Sequence, residues 1–64
     1  MAVTPRMTDV LKLIAEGMTF EGIARDLELS PFTVKTYAER IYERLGARDR
    51  VQAVSTALRA GLID

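Results

Sequence analysis

The chain has 64 residues, 48% of them hydrophobic, and its nine lysine and arginine residues balance nine aspartate and glutamate residues. This length accommodates a single domain, residues 1–64, and the apolar, evenly charged composition excludes intrinsic disorder. Because cysteine and histidine are absent, a zinc finger, a disulfide framework and a thiol or imidazole catalyst are excluded as well.

The first half of the chain predicts two helices. The first extends from Pro5 to Glu16, with Thr4 as its N-cap and Gly17 as its stop. The second, from Phe20 to Leu27, follows the cap residue Thr19. Apolar residues at the helical period mark the inward faces; they are Met7, Val10, Leu11, Ile14, Ala15 and Met18 in the first helix, and Ile23, Ala24 and Leu27 in the second.

The second half predicts two more helices, Pro31 to Leu45 after the cap Ser30, and Arg50 to Ala60 after the cap Asp49. Gly46 ends the former. Their expected inward residues are Val34, Ile41 and Leu45, then Ala53, Val54, Ala57 and Leu58. Since the links are short and strand patterns are lacking, we expect an all-α fold, a compact four-helix domain with a central helix-turn-helix.

Helices two and three form the predicted helix-turn-helix, a unit whose second helix can lie in the DNA major groove with its N-terminal residues facing base edges. Because Val34 points inward, Thr33, Lys35 and Thr36 are expected to point outward. Two hydroxyl groups and an ammonium group suit phosphates and base edges. The amides at the start of this helix are expected to be uncapped and to form an anion site.

The zero net charge hides an asymmetry along the chain. Residues 1–32 hold three basic and five acidic side chains, a net charge of −2, whereas residues 33–50 hold five basic and three acidic ones, a net charge of +2. The positive charge therefore lies on the helix expected to face DNA. Two alternatives stay open there: Phe32 either contacts a thymine methyl group or packs on helix two, and Arg40 and Arg44 either contact phosphates or form surface ion pairs.

Seven short strings, in order along nearly the whole chain, carry a resemblance to a known family. They are Val3-Thr4-Pro5-Arg6, Ile14-Ala15-Glu16-Gly17, Ile23-Ala24-Arg25, Leu29-Ser30, Thr33-Val34-Lys35-Thr36, Leu45-Gly46-Ala47-Arg48-Asp49-Arg50 and Ala53-Val54. Together they resemble the LuxR/GerE type of DNA-binding domain. The resemblance implies a four-helix domain with helix three as recognition helix, helix four as a common dimer surface, and sequence-specific transcriptional regulation in bacteria or their phages.

The resemblance also implies roles for single residues. By position, Lys35 and Thr36 face bases and Thr33 contacts a phosphate. Arg48 and Arg50 correspond to the basic residues of the turn before helix four, where Arg50 is expected to tie helices together by hydrogen bonds. The complete set expected on DNA is Ser30, Phe32, Thr33, Lys35, Thr36, Glu39, Arg40 and Arg48.

Five places depart from the usual pattern of that family. Met7 replaces the glutamate that would complete a capping box in helix one. Glu21-Gly22 replaces a basic or amide-bearing pair, and Glu28 replaces a frequent turn glycine, so that a left-handed backbone is expected at a residue with a side chain. Tyr37 stands for a histidine. Glu39 stands where some members have a basic residue, and it either accepts from a cytosine amino group or weakens binding.

The chain is thus expected to bind duplex DNA and regulate transcription; neither an enzyme activity nor a metal or cofactor is expected. The alternative is a protein-interaction module of the same fold that contacts RNA polymerase or another regulator, which three glutamates near the DNA face favour. A weak homodimer through helix four is expected, with Val51, Ser55 and Arg59 outward. With no secretory signal or membrane span in the pattern, we expect a cytoplasmic protein.

Overall fold

The computed structural model describes residues 4–64, so Val3 of the first motif lies outside the described residues. The described chain forms four helices in the order α1, α2, α3 and α4, which span Pro5–Ala15, Phe20–Leu27, Pro31–Leu45 and Arg50–Arg59. The predicted all-α, four-helix class is confirmed. Two ends are corrected by one residue, because Glu16 and Ala60 are the C-cap residues of α1 and α4. The longest helix among residues 4–64 is α3, whose 15 residues are too few to span a membrane.

Every helix begins at a residue whose side chain accepts a hydrogen bond from an amide of the first turn. The four pairs are Thr4 with Met7, Thr19 with Gly22, Ser30 with Thr33, and Asp49 with Gln52. Such caps satisfy amides that the helix leaves without partners, and each stabilises the fold by about 1 kcal/mol. The predicted helix starts are therefore confirmed at all four positions.

The hydrophobic core lies between α3 and the other helices, since α3 contacts each of them. Its members are Met7, Val10, Leu11, Ile14, Ile23, Ala24, Val34, Ala38, Ile41, Ala57 and Ile63. Two of these were not predicted. Ala38 continues the buried row of Val34 and Ile41, and Ile63 is brought inward after a left-handed turn at Gly61.

Two residues expected in the core are exposed instead. Ala15 is open to solvent, and Leu58 retains 48% of its surface exposure. Both line the same open groove between the C-terminal end of α1 and the outer face of α4. The buried faces of α1 and α4 are therefore narrower than the apolar residues in the sequence predict, because Ala15 and Leu58 lie at the edge of this groove.

Arg50 joins the C-terminal end of α1 to the start of α4. Its guanidinium donates hydrogen bonds to the carbonyl oxygens of Ile14 and Met18, each at 2.9 Å, and lies 5.7 Å from the ring centroid of Phe20. Carbonyl groups at a helix C-terminus carry partial negative charge, so a cation stabilises them; the Ile14 carbonyl accepts from the Gly17 amide at 3.0 Å as well. The expected structural role of Arg50 is confirmed, and its contacts hold the first turn of α2 against α4.

The turn between α2 and α3 is held by Glu28, the one residue other than glycine with a positive φ among residues 4–64 (φ 56°). The Leu29 amide donates to the Ala24 carbonyl at 2.8 Å across this turn. A side chain in the left-handed region costs about 1–2 kcal/mol, whereas glycine adopts it freely. The left-handed backbone expected here is confirmed.

Glu28→Gly is expected to raise the free energy of unfolding by about 0.5–1 kcal/mol, since relief of strain exceeds the added entropy of the unfolded chain. Urea denaturation monitored by circular dichroism measures this change. Glu28→Gln is the matched control, because it removes the same charge and keeps the strained backbone. Equal midpoints for the two variants would show that charge, and not backbone geometry, accounts for the effect.

Candidate nucleic-acid interface

The first turn of α3 is closed by a small group of hydrogen bonds. The Ser30 hydroxyl oxygen accepts from the Thr33 amide at 3.1 Å, and the two hydroxyl oxygens lie 2.9 Å apart, so that one donates to the other. The Val34 amide donates to the Ser30 carbonyl, and Pro31 has no amide hydrogen. The expected uncapped anion site is therefore wrong: in this turn the Phe32 amide alone has no partner among the described residues.

Helix geometry places the predicted contact residues of α3 on the side away from the core. At 3.6 residues per turn, Phe32, Thr36, Glu39 and Glu43 form the row opposite the buried residues Val34, Ala38 and Ile41. We call these four residues the outward row. Lys35 and Arg40 flank it on opposite sides. The structure thus brings six of the eight predicted contact residues onto or beside one face, counting Thr33 next to Arg40.

Three basic side chains, two beside the outward row and one in the turn before α4, are available to an external anion. Lys35, Arg40 and Arg48 are exposed, and their side chains make no ion pair or hydrogen bond with any residue from 4 to 64. Arg40 therefore does not form the surface ion pair weighed as an alternative for it. Arg48 lies in the turn before α4, where its amide donates to the Gln52 side-chain oxygen at 2.9 Å. That bond fixes the backbone that carries the free guanidinium.

The acidic residues occupy the far end of the same face. Glu39 and Glu43 form the C-terminal half of the outward row, whereas its N-terminal half is uncharged. Phosphates repel these carboxylates and attract Lys35, which lies in the second turn of α3. An approach to DNA with the N-terminus of α3 leading is thus favoured over one in which the whole helix lies flat in the groove.

Phe32 does not pack on α2. Its side chain is 78% exposed, so the alternative in which it packs on helix two is wrong. Tyr37, which stands in place of a histidine, instead packs partly buried against the core. The exposed aromatic ring is thus a feature of the outward row and belongs to the surface available to a partner.

The outer face of α4 carries a second surface. Val51, Ser55 and Arg59 follow one another at intervals of four residues, and all three line an open groove of about 570 Å³ together with Ala15 and Leu58. Val51 is 76% exposed, and Arg59 donates to the Ser55 hydroxyl at 2.8 Å. The groove is more apolar than the three residues predicted to point outward from α4 would make it, because Leu58 lines the groove instead of packing in the core.

Comparison with known families decides the identity of the fold. The model of the bacterial regulatory proteins of the luxR family matches residues 1–57. The chain belongs to this family. Its membership confirms the resemblance seen in the sequence and the predicted class of function, a helix-turn-helix domain that binds DNA in transcriptional regulation. The family is one of regulatory proteins and not one of enzymes.

Relatives in several bacteria share this domain. The chain is 44% identical to the probable transcriptional regulatory protein NarL of Mycobacterium tuberculosis over 97% of its own length, and 43% identical to the transcriptional regulatory protein YxjL of Bacillus subtilis over 94%. It covers 29% and 28% of those two proteins. The chain thus spans less than a third of the length of these curated relatives.

Solved structures agree with the fold. The response regulator ChrA of a heme-sensing two-component system superimposes with a TM-score of 0.95 at 32% identity, over 98% of this chain and 31% of ChrA. The Vibrio cholerae VqmA dimer, a LuxR-type receptor, gives 0.91 at 31% identity, over 95% of this chain and 28% of that one. The four-helix arrangement is therefore that of LuxR-type domains.

Proposed function

We propose that this domain binds a specific duplex DNA sequence with the N-terminal half of α3 in the major groove and thereby regulates transcription. The free cations beside the outward row support the proposal most directly. Lys35 lies beside the uncharged N-terminal half, and Arg40 lies one turn past Thr36 on the opposite side of the outward row, a pattern that suits a groove walled by two phosphate backbones. A helix of this diameter fits a major groove about 12 Å wide.

Each predicted contact residue has a role in this proposal. Lys35 and Thr36 read base edges, while Thr33, Arg40 and Arg48 contact phosphates. Ser30 acts as the cap that orients the Thr33 hydroxyl, and Glu39, the first residue past the N-terminal half of the outward row, accepts from a base amino group at the edge of the contact. We place the protein in the cytoplasm with its DNA, and we propose that a contact with RNA polymerase accompanies regulation.

Selection of bound duplexes from a random library is the experiment that tests the proposal. We expect an enriched motif, whose affinity in fluorescence anisotropy falls with salt at a log–log slope of about −4 to −5 for ~4–6 neutralised phosphates per dimer. Since the chain is neutral overall, its non-specific binding is expected to be weaker than that of a basic domain. Binding that salt leaves unchanged, or no binding even at low salt, would contradict the proposal and favour a protein-interaction module.

We propose further that two copies associate through the outer face of α4 and read half-sites about 10 bp apart. The exposed Val51 and the apolar groove beside it support this arrangement. A domain of this size buries only ~60% of its unfolded surface and gains stability from a partner. VqmA is itself a dimer among LuxR-type receptors.

Val51→Asp is expected to weaken the dimer about tenfold or more, because it places a charge in an apolar contact on both copies. An aspartate in the first turn of a helix is favourable, so the fold is retained. Sedimentation equilibrium measures the dimer, and a duplex with a single half-site is the internal control, since its affinity should not change. A wild-type chain that stays monomeric at high concentration and binds DNA as one copy would refute the dimer.

A further inference from the structure

Phe32 has the highest exposed fraction of the large hydrophobic side chains in the described chain, and it lies at the second position of α3. Single exposed apolar residues are common and by themselves define no site. The position of this one is informative, because the first turns of the recognition helix are those that face base edges. The inference that follows rests on the function proposed above.

The hydroxyl groups around this ring are already committed to the helix. Thr36, one turn after Phe32, donates its hydroxyl hydrogen to the Phe32 carbonyl at 3.1 Å, and the hydroxyl groups of Ser30 and Thr33 bond to each other. Thr36 is therefore left with its methyl group and acceptor lone pairs for an outside partner. The N-terminal half of the outward row consequently offers a ring and a methyl group, with Lys35 beside them.

Only one apolar group is present on base edges in the major groove, namely the C5-methyl group of thymine, which 5-methylcytosine also carries. We propose that Phe32, with the methyl group of Thr36 beside it, recognises a C5-methyl group in each half-site. Phe32 is then a specificity-determining residue of the interface. Uracil or unmodified cytosine at that position leaves the ring against a bare polar edge and forfeits the contact.

The test uses the duplex enriched by selection and replaces each thymine in turn by deoxyuridine, which keeps the base pairing and removes one methyl group. At the contacted position we expect an affinity loss of about fourfold per half-site for the unmodified protein. In Phe32→Ala the same replacement should leave the affinity unchanged, because the side chain that contacts the methyl group is absent. The four affinities form a double-mutant cycle. Cytosine at that position should bind weakly, and 5-methylcytosine should recover part of the loss.

Lys12→Ala is the matched control, because it also shortens an exposed side chain but lies on α1, away from both the outward row and the outer face of α4. It should retain the full effect of the methyl group. Equal affinities for the thymine and deoxyuridine duplexes, or a methyl effect that persists in Phe32→Ala, would overturn this inference while leaving DNA binding intact. Failure of the unmodified protein to bind any duplex at low salt would overturn the proposed function together with it.

Discussion

Arg50→Ala is expected to lower the free energy of unfolding by about 2–3 kcal/mol. The substitution removes two charge-assisted hydrogen bonds, one to a carbonyl group at the end of α1 and one to a carbonyl group in the turn after it, and also removes the contact with the Phe20 ring. A domain of this length has a total stability of roughly 3–10 kcal/mol, so the loss is a large fraction of it. Thermal unfolding should show a decrease in Tm of roughly 10–20 °C.

Arg48→Ala is the matched control for this prediction. It removes the same charge two residues earlier, from a side chain that has no partner among the described residues, and should change stability by at most about 0.5 kcal/mol. It should nevertheless weaken DNA binding, since we assign its guanidinium to a phosphate. Arg50→Lys distinguishes charge from geometry, because lysine has no planar fork to reach two carbonyls. Full stability in Arg50→Lys would show that the two hydrogen bonds contribute little.

Lys35→Ala is expected to reduce affinity for the selected duplex about 5- to 100-fold, the range of one specific base contact. The side chain is exposed and flanks the outward row, so its loss should leave stability within about 0.5 kcal/mol. Anisotropy titrations with the selected duplex and with single-base variants measure the effect. A base contact predicts that the variant discriminates less between bases at one position of the half-site.

A phosphate contact by Lys35 gives a different result. In that case affinity falls about equally for all duplexes, and the salt slope becomes shallower by about one for each copy bound. Lys12→Ala is the control, since it removes an exposed lysine from α1, outside the predicted interface. If Lys12→Ala and Lys35→Ala weaken binding to the same extent, the effect is one of overall charge, and the recognition role of α3 is wrong.

The helices and their caps could be predicted because both depend on residues close together in sequence. Caps and glycine stops lie within three or four residues of the groups they satisfy, and the buried row of α3 repeats at the helical period. Ile63 follows no helical pattern, because it reaches the core only after the turn at Gly61. The acceptors of Arg50 lie 32 and 36 residues away. Their identity depends on how α1 and α4 pack, which periodicity does not specify.

The candidate site was predictable in its location and less so in its chemistry. The spacing of Thr33, Lys35 and Thr36 around the inward Val34 was sufficient to place them outside the core. The hydrogen bonds of the two threonine hydroxyl groups were not predictable, because Thr33 shares its hydroxyl with Ser30 and Thr36 donates its own to the Phe32 carbonyl. The exposure of Phe32 could have been predicted as well, because the helical period places it opposite the inward residues Val34 and Ile41. Which group of a partner the ring contacts does not follow from spacing.

The contacts of Arg50 also have a consequence for how the chain folds during its synthesis. The ribosome releases α1, α2 and α3 before α4. The carbonyl groups of Ile14 and Met18 therefore lack the Arg50 guanidinium until more than thirty further residues have been synthesised. Ala57 and Ile63 complete the core later still. The core around α3 is therefore complete only when almost the entire domain has left the ribosome.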